Sequence, residues 1–338
     1  MVINTWAGPC FGAATAAAWE TLAAGGSALD AVEKGCTRAE ELQCDRTVGF
    51  GGSPDESGET TLDAMVFDGD SMRAGAVADL RRIKAATSAA RLVMDHTRHS
   101  LLAGEGASRF AMLMGLPSGS LATSESRMMW SKWRLDRCQP NFWHNVSPDP
   151  AFFCGPYRPA QQAQQQAQRQ ELADQQQIQQ HRWPSRHEGH DTIAMVAIQA
   201  GGSTAAAASS NGATHKVPGR VGDGAIPGGG AYADSAVGGC GATGDGDVHL
   251  RFLPCYQVVE SMRQGLSPTQ AAEDAVRRIV KHVPAFVGAL VAVSKDGRHG
   301  GAAHGWQFVY SVASGASGGV VETVEINPID SSSSMEQR

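Results

Sequence analysis

A single threonine stands where a polar stretch of the chain gives way to an apolar one. Thr192 follows Asp191 and begins the apolar run 193–198, whereas residues 161–190 are dominated by glutamine. A cut between Asp191 and Thr192 would place a free α-amine and a hydroxyl on one residue. An α-amine titrates at roughly 7.7 to 8 and can serve as the base that a threonine hydroxyl needs. On this pattern alone Thr192 more often just begins a strand, but the residues described next favour a nucleophile.

Two opposite charges lie close together in a glycine-rich segment downstream. The segment Gly219-Arg220-Val221-Gly222-Asp223 separates a guanidinium from a carboxylate by two residues. A guanidinium binds a carboxylate with a pair of hydrogen bonds, and an aspartate binds an ammonium. The pair therefore suits the two charges of an α-amino acid. The alternative is a surface salt bridge at a turn.

A third element combines a hydroxyl with glycines directly before a predicted helix. In Thr243-Gly244-Asp245-Gly246-Asp247, the hydroxyl and the backbone N–H groups suit an oxyanion hole, to which the positive helix end adds. A calcium loop is rejected because the EF-hand spacing and its final glutamate are missing. The triple glycine 228–230 follows no apolar strand, which excludes a dinucleotide fingerprint. We expect no metal and no cofactor.

The elements that must position these residues alternate between helices and strands. Helices are predicted over 13–24, 27–42, 81–95, 106–114, 250–264 and 267–282. Strands are predicted over 1–6, 62–68, 192–199, 203–209, 288–294, 300–304 and 307–313, with mostly loop over 117–160. Strands followed by helices in each half predict antiparallel sheets covered by helices, an α+β sandwich.

Composition excludes several classes of function. The chain has 338 residues, a net charge of −6 and 42% hydrophobic residues. These values give no basis for binding nucleic acid or an anionic membrane. No apolar run reaches the roughly 18 residues that span a bilayer.

The first residues predict a strand and not a signal peptide. Cys138 and Cys154 bracket a loop and suggest a disulfide, which points to an oxidising compartment.

Taken together, the motifs resemble those of the type 2 asparaginases, a family of N-terminal nucleophile hydrolases. The resemblance rests on His190-Asp191-Thr192-Ile193, on 219–223 with 226–228, on 232–234 and on 243–247. In the N-terminal half it rests on 4–6, 25–33, 48–56 and 78–84. It covers nearly the whole chain except the glutamine-rich insert and the C-terminal tail.

The resemblance implies a four-layer αββα sandwich made as one precursor. The precursor would cut itself between Asp191 and Thr192 into an α chain, 1–191 with the glutamine-rich linker 161–190, and a β chain, 192–338. Together the chains would form one structural domain. The resemblance also implies a heterotetramer of two α and two β chains, located in the lysosome.

The same resemblance assigns roles to individual residues. Thr192 would be the nucleophile, Arg220 would bind the α-carboxylate of the substrate and Asp223 its α-amine. Thr243 and Gly244 would form the oxyanion hole, and Trp6 would line the pocket. Neighbouring residues implied in substrate binding are Val221, Gly222, Asp245 and Gly246.

Several positions depart from the family pattern. Ser210 replaces a threonine that supports the site, and Ala194 replaces a glycine after the nucleophile. Ala39 stands where a cysteine would pair with Cys44, so that bridge is lost unless Cys36 substitutes for it. The family's C-terminal disulfides are absent, and only Cys138–Cys154 carries over.

Three hypotheses follow, with the first preferred. The chain is a self-processing hydrolase of the amide between N-acetylglucosamine and asparagine. It is an L-asparaginase or β-aspartyl peptidase with the same Thr192 chemistry. Or it is a paralogue that is neither processed nor active.

Overall fold

The computed structural model describes residues 1–160 and 192–329. The helices are α1 (Pro9–Ala23), α2 (Ala28–Leu42), α3 (Ala86–His96), α4 (Gly104–Leu113), α5 (Ser124–Leu135), α6 (Gly246–Phe252), α7 (Pro254–Arg263) and α8 (Pro268–His282). The strands are β1 (Val2–Asn4), β2 (Leu62–Asp68), β3 (Arg73–Leu80), β4 (Leu101–Ala103), β5 (Val146–Ser147), β6 (Arg158–Pro159), β7 (Ile193–Ile198), β8 (Thr204–Ser210), β9 (Ala231–Asp234), β10 (Gly238–Gly244), β11 (Gly288–Ser294), β12 (His299–His304), β13 (Phe308–Ala313) and β14 (Glu322–Ile326). Among the helices of these two ranges, none combines the length and apolarity needed to cross a bilayer.

The larger sheet has eight strands and mixes the two halves of the chain. Its order is β14-β13-β1-β7-β8-β2-β3-β4. The first strand therefore lies between two strands from the C-terminal half, with Ile3 opposite both Val312 and Val196. Strand β2 lies beside β8, with Asp63 opposite Ser210. Strand β7, which Thr192 directly precedes, therefore lies between β1 from the N-terminal half and β8 from the C-terminal half.

Helices α1 and α2 cover one face of this sheet. Successive side chains of a strand point to opposite faces, so Ile193, Met195 and Ala197 of β7 pack toward these helices. Ser27 and Asp30 form a capping box that fixes the start of α2. The sequence predicted this cap and the end of the helix near Leu42. The adjacent helices α3 and α4 pack on β2 and β3.

A second sheet, ordered β12-β11-β10-β9, packs on the other face. The alternate residues of β7, Ala194 and Val196, share a buried cluster with Val291 of β11. Burial on both faces explains why β7 is a continuous apolar run. A Cβ on Gly241 of β10 would lie 2.8 Å from the Ala194 Cβ. Glycine in β10 therefore allows the two sheets to approach closely.

Helices α7 and α8 cover the outer face of the second sheet. Val258 of α7 and Ile279 of α8 pack against Leu290 of β11 in one buried cluster. The chain is therefore α+β, as its sequence predicted.

Three disulfides form within the described residues, and two of these pairings were not predicted. Cys138–Cys154 forms as expected. Cys44, whose bridge was expected to be lost, pairs with Cys10, and Cys36 is buried and free. The reason is that α1 and α2 pack against each other, which brings the start of α1 beside the end of α2. Cys240–Cys255 adds a bridge in the C-terminal half that was not predicted.

Some predicted elements also differ. The helix predicted from Arg81 begins only at Ala86, because Arg82 has a left-handed backbone with φ of 62°. The predicted helix 250–264 is two helices, α6 and α7, which meet at Leu253 with φ of 48°. Helix α5 and the short strands β5 and β6 fall within the predicted loop 117–160, and no strand was predicted at β3, β4, β9, β10 or β14.

Candidate active site

Thr192 lies directly before β7 and is almost fully buried, with 3% of its surface exposed. Its carbonyl oxygen accepts hydrogen bonds from Thr5 Oγ1 at 3.3 Å and from Trp6 Nε1 at 3.2 Å. The same indole nitrogen lies 3.1 Å from Thr243 Oγ1. Trp6 therefore ties the start of β7 to the end of β10. The first residues of the chain thus set the position of Thr192.

A small pocket joins Thr192 to most of the other predicted residues. It is a narrow, partly open cleft whose empty space, including the part open to solvent, is about 160 Å³. Its lining is Thr192, Ser210, Gly212, Arg220, Asp223, Gly244 and Gly246. Six of these seven residues were predicted from the sequence, although they come from four separate segments.

Asp223 faces Thr192 from a short 3₁₀ turn, Asp223–Ala225. Thr192 Oγ1 donates a hydrogen bond of 3.4 Å to its Oδ1. Its Oδ2 lies 2.8 Å from His249 Nδ1, and both side chains are buried. The carboxylate is therefore held on one oxygen and directed at Thr192 with the other.

Arg220 lies at the outer side of the pocket, with 14% of its side chain exposed. Its Nε and Nη2 donate to the Asp247 carboxylate at 3.3 and 3.0 Å. Its Nη1 lies against two glycines, since a Cβ on Gly222 or Gly212 would be 2.7 or 3.0 Å from it. These glycines leave room for the guanidinium beside the pocket.

Two buried charges stabilise the loops that carry these residues. Asp63 accepts hydrogen bonds from the backbone N–H of Gly222 at 2.8 Å and of Asp79 at 2.9 Å. Burial raises the pKa of Asp63, and the charge of Lys216 opposes that rise. Burial lowers the pKa of Lys216 to about 8, and its ammonium donates to the Asn211 carbonyl at 2.6 Å. Lys216 therefore holds the segment 210–212 and Asp63 holds the segment 220–222, and the two side chains interact with each other.

The structure shows where the two residues near Thr192 that depart from the family pattern lie. Ser210 Oγ accepts a hydrogen bond from the backbone N–H of Gly212 at 2.9 Å and lines the pocket. The Ala194 methyl points away from the pocket, toward Gly241 of the second sheet. Ala194 is therefore not among the residues that line the pocket, because its methyl group packs between the two sheets.

Other predicted residues lie around the pocket and not in its wall. Trp6 and Thr243 hydrogen bond to each other behind Thr192. Asp245 caps α6 by accepting from the Val248 N–H at 3.2 Å. Val221 and Gly222 continue the Arg220 loop and are half-buried and buried, respectively. Asp191 lies outside the described residues.

Three residues at the site were not predicted. Thr5 Oγ1 accepts from the Ala194 N–H at 2.9 Å as well as donating to Thr192. Gly212 lines the pocket, and His249 holds Asp223. A sequence hint existed only for Thr5, which precedes Trp6, and for Gly212, which follows a turn-forming asparagine.

Comparison with known proteins places these residues in a family. Residues 4–321 match a family model described as asparaginase. The chain is 51% identical over 302 residues to rat N(4)-(beta-N-acetylglucosaminyl)-L-asparaginase, covering 89% of this chain and 83% of the rat protein. The mouse protein of that name is 52% identical over 302 residues, with the same coverage.

A plant relative carries a different name. The chain is 53% identical over 315 residues to an Arabidopsis thaliana protein named probable isoaspartyl peptidase/L-asparaginase 3. The match covers 92% of this chain and 86% of the plant protein.

Proposed function

The chain belongs to the asparaginase family, and from that premise we propose that it hydrolyses the amide bond between N-acetylglucosamine and asparagine. The observation that carries the proposal is the convergence of Thr192, Arg220, Asp223 and Gly244 on one pocket. The pocket supplies a nucleophile, a cation, an anion and a backbone oxyanion site. These are the groups that an asparagine-derived amide requires.

The substrate is held by its α-amino acid end. Asp223 Oδ1 binds the α-ammonium, and Arg220 binds the α-carboxylate. Asp247 now occupies two of the guanidinium nitrogens, so the substrate carboxylate uses Nη1 or displaces Asp247. The side-chain amide of the substrate then lies beside Thr192.

Thr192 carries out the chemistry after processing. Its free α-amine takes the proton of Oγ1, and Oγ1 attacks the amide carbon. The C–N bond breaks, the leaving amine takes the proton, and an aspartyl ester of Thr192 remains. Water then attacks the ester, which releases aspartate and restores the hydroxyl.

The developing oxyanion is stabilised by Thr243 and Gly244. Gly244 has a φ of 119°, and a Cβ there would lie 2.4 Å from the Gly288 Cα. Only glycine fits that position, which supports a role for its backbone in the site. Donors already in place at the oxyanion are among the strongest catalytic contributions.

Processing uses the same hydroxyl. Oγ1 of Thr192 attacks the Asp191 carbonyl, the peptide amide becomes an ester, and water opens it. The resulting α and β chains, 1–191 and 192–338, stay together because β1 lies between β13 and β7. The packing of helices on both outer faces supports the finer fold assignment, a four-layer αββα sandwich of the N-terminal nucleophile hydrolase type.

The family relationship also extends the proposal to assembly and location. Two α and two β chains form a heterotetramer that works in the lysosome during glycoprotein breakdown. Three disulfides in the described part of the chain support an oxidising route.

The direct test is hydrolysis of N-acetylglucosaminyl-asparagine by the purified protein and by Thr192→Ala. Wild type releases aspartate, and Thr192→Ala releases none above background. Thr204→Ala serves as a matched control, because Thr204 is also a buried threonine but donates to the Gly202 carbonyl, outside the pocket. Equal activity of wild type and Thr192→Ala would reject the proposal.

A second candidate is L-asparaginase or β-aspartyl peptidase activity. The plant relative named as isoaspartyl peptidase/L-asparaginase favours it. Both candidates use the same Thr192, so asparagine and a β-aspartyl dipeptide are assayed beside the glycosylated substrate. The ratio of kcat/KM values decides between them, and no hydrolysis of any of the three indicates an inactive paralogue.

A further inference from the structure

His249 is a fully buried residue that the proposed chemistry does not use. Its Nδ1 lies 2.8 Å from Asp223 Oδ2, and its relative exposure is 0%. Its ring makes an edge contact with Phe286, at 5.5 Å between ring centroids. Its Nε2 is buried and has no hydrogen-bond partner within residues 1–160 and 192–329.

A role in packing alone does not explain a histidine at this position. A buried polar atom without a partner destabilises a fold, and an apolar side chain of similar size avoids that cost. Helix α6 is capped by Asp245, so His249 is not needed to begin the helix. The one polar contact that the His249 side chain makes in the described structure is with Asp223. The gain that offsets the unpartnered Nε2 must come from that contact.

The contact determines how the Asp223 carboxylate is presented. An ionised carboxylate only accepts hydrogen bonds, so Nδ1 is the donor. The hydrogen bond from His249 to Oδ2 restrains rotation of the carboxylate group. Oδ1 then points at Thr192 Oγ1 and at the pocket, where it is 2.7 Å from the place of a Cβ on Gly246.

We propose that His249 is a positioning residue that orients Asp223 toward the α-ammonium of the substrate. The inference rests on the proposed function, in which Asp223 binds that ammonium. His249 does not touch the substrate. It selects amino acid ligands by keeping Oδ1 directed into the pocket, so its effect is confined to ligands that carry the α-amine.

The test compares two ligands that differ only in the α-amine. Binding of L-aspartate and of succinate to the processed protein is measured by calorimetry for wild type, His249→Leu and His249→Asn. We expect His249→Leu to weaken aspartate binding roughly tenfold, the effect of losing a hydrogen bond to a charged group. Succinate binding changes less than twofold. His249→Asn, which keeps an N–H near the place of Nδ1, restores most of the preference for aspartate.

Kinetics and ligand binding separate positioning from structure. For N-acetylglucosaminyl-asparagine, His249→Leu raises KM much more than it lowers kcat. Its melting temperature does not decide the question, because leucine removes the unpartnered Nε2 but also leaves the buried Asp223 Oδ2 without its donor. An unchanged aspartate-to-succinate ratio in His249→Leu would overturn the inference. An unchanged ratio with both ligands bound more weakly would indicate a distorted pocket.

Two safeguards keep the test decisive. If His249→Leu does not fold, His249→Asn is compared with His249→Gln, whose amide lies nearer the place of Nε2. Asparagine then keeps the preference for aspartate and glutamine loses it, whereas equal behaviour of the two rejects the inference. Failure of the proposed function is a different result, namely a wild-type protein that does not hydrolyse the glycosylated substrate. The binding ratio tests His249 in either case.

Discussion

Substitution of Gly246 by alanine adds one methyl group between the two charged groups of the site. Gly246 is the first residue of α6 and lines the pocket. Its φ lies outside the left-handed region, so its backbone accepts an alanine. The new Cβ would lie 2.7 Å from Asp223 Oδ1 and 3.1 Å from Arg220 Nη2. Both groups must therefore move.

The size of the effect follows from these distances. An ordinary contact begins at 3.4 Å, so Asp223 Oδ1 must shift by about 0.7 Å from its 2.7 Å position. His249 and the buried surroundings oppose that shift. A misplacement of about 1 Å at a reacting site can reduce the rate by about 100-fold. We expect Gly246→Ala to lower kcat/KM for the glycosylated substrate by about 100-fold, equivalent to about 2.7 kcal/mol.

The assay must separate this effect from a change in folding. Glycine in a helix is less stable than alanine by roughly 0.5 to 1 kcal/mol, so the clash and the helix gain partly cancel in the free energy of unfolding. The matched control is Gly106→Ala in α4, where a Cβ would have no atom within 4 Å. This control keeps wild-type kcat/KM. A Gly246→Ala enzyme with wild-type kcat/KM would refute the assignment of Asp223 and Arg220 to substrate binding.

Three other predictions concern stability and cysteine chemistry. Burial raises the pKa of Glu40 to about 7, so its stabilising contribution is complete below about 4.5 and is lost as the pH rises through 7. Relative to Glu40→Gln, wild type should lose about 3 kcal/mol of unfolding free energy between pH 5 and 8 in urea titrations, and parallel pH profiles would contradict this. Replacing Cys10 and Cys44 by alanine opens a loop with a sequence separation of 34 and should lower the free energy of unfolding by about 4 kcal/mol; an unchanged urea midpoint would argue against the bridge. Unfolded, unreduced protein should react with one equivalent of a thiol reagent, at Cys36, whereas three equivalents would mean that one disulfide is missing.

Local patterns were sufficient to predict the elements whose determinants lie close in sequence. The helix after Ser27 was placed correctly because its capping box involves residues only three apart. The strands at 62–68 and 288–294 were placed with their observed limits because both are apolar runs between turn residues. Thr192, Arg220, Asp223 and Gly244 were predicted as one site, and they line one pocket.

Elements that depend on tertiary packing were missed. Strand β10, Gly238–Gly244, has no β-forming pattern of its own, and its glycines are needed because β7 packs closely on it. Helix α5 was assigned to a loop because its sequence has few aliphatic residues, although Thr123 and Ser126 form a capping box at its start. Cys10 and Cys44 become neighbours only through the packing of α1 on α2.

His249 shows the same limit within the site. Its partner Asp223 is 26 residues away, and nothing in the sequence around His249 indicates that its ring faces inward. The contact exists because α6, which Asp245 caps, packs against the 3₁₀ turn that carries Asp223.

The central claim is that Thr192 becomes an N-terminal nucleophile, and one measurement tests it most directly. Intact mass and N-terminal sequencing are carried out on purified wild type and on Thr192→Ala. We predict two chains in wild type, the second beginning at Thr192, and a single chain of full length in Thr192→Ala. A wild-type chain that remains uncut after prolonged incubation would contradict the claim, as would the same cut in Thr192→Ala.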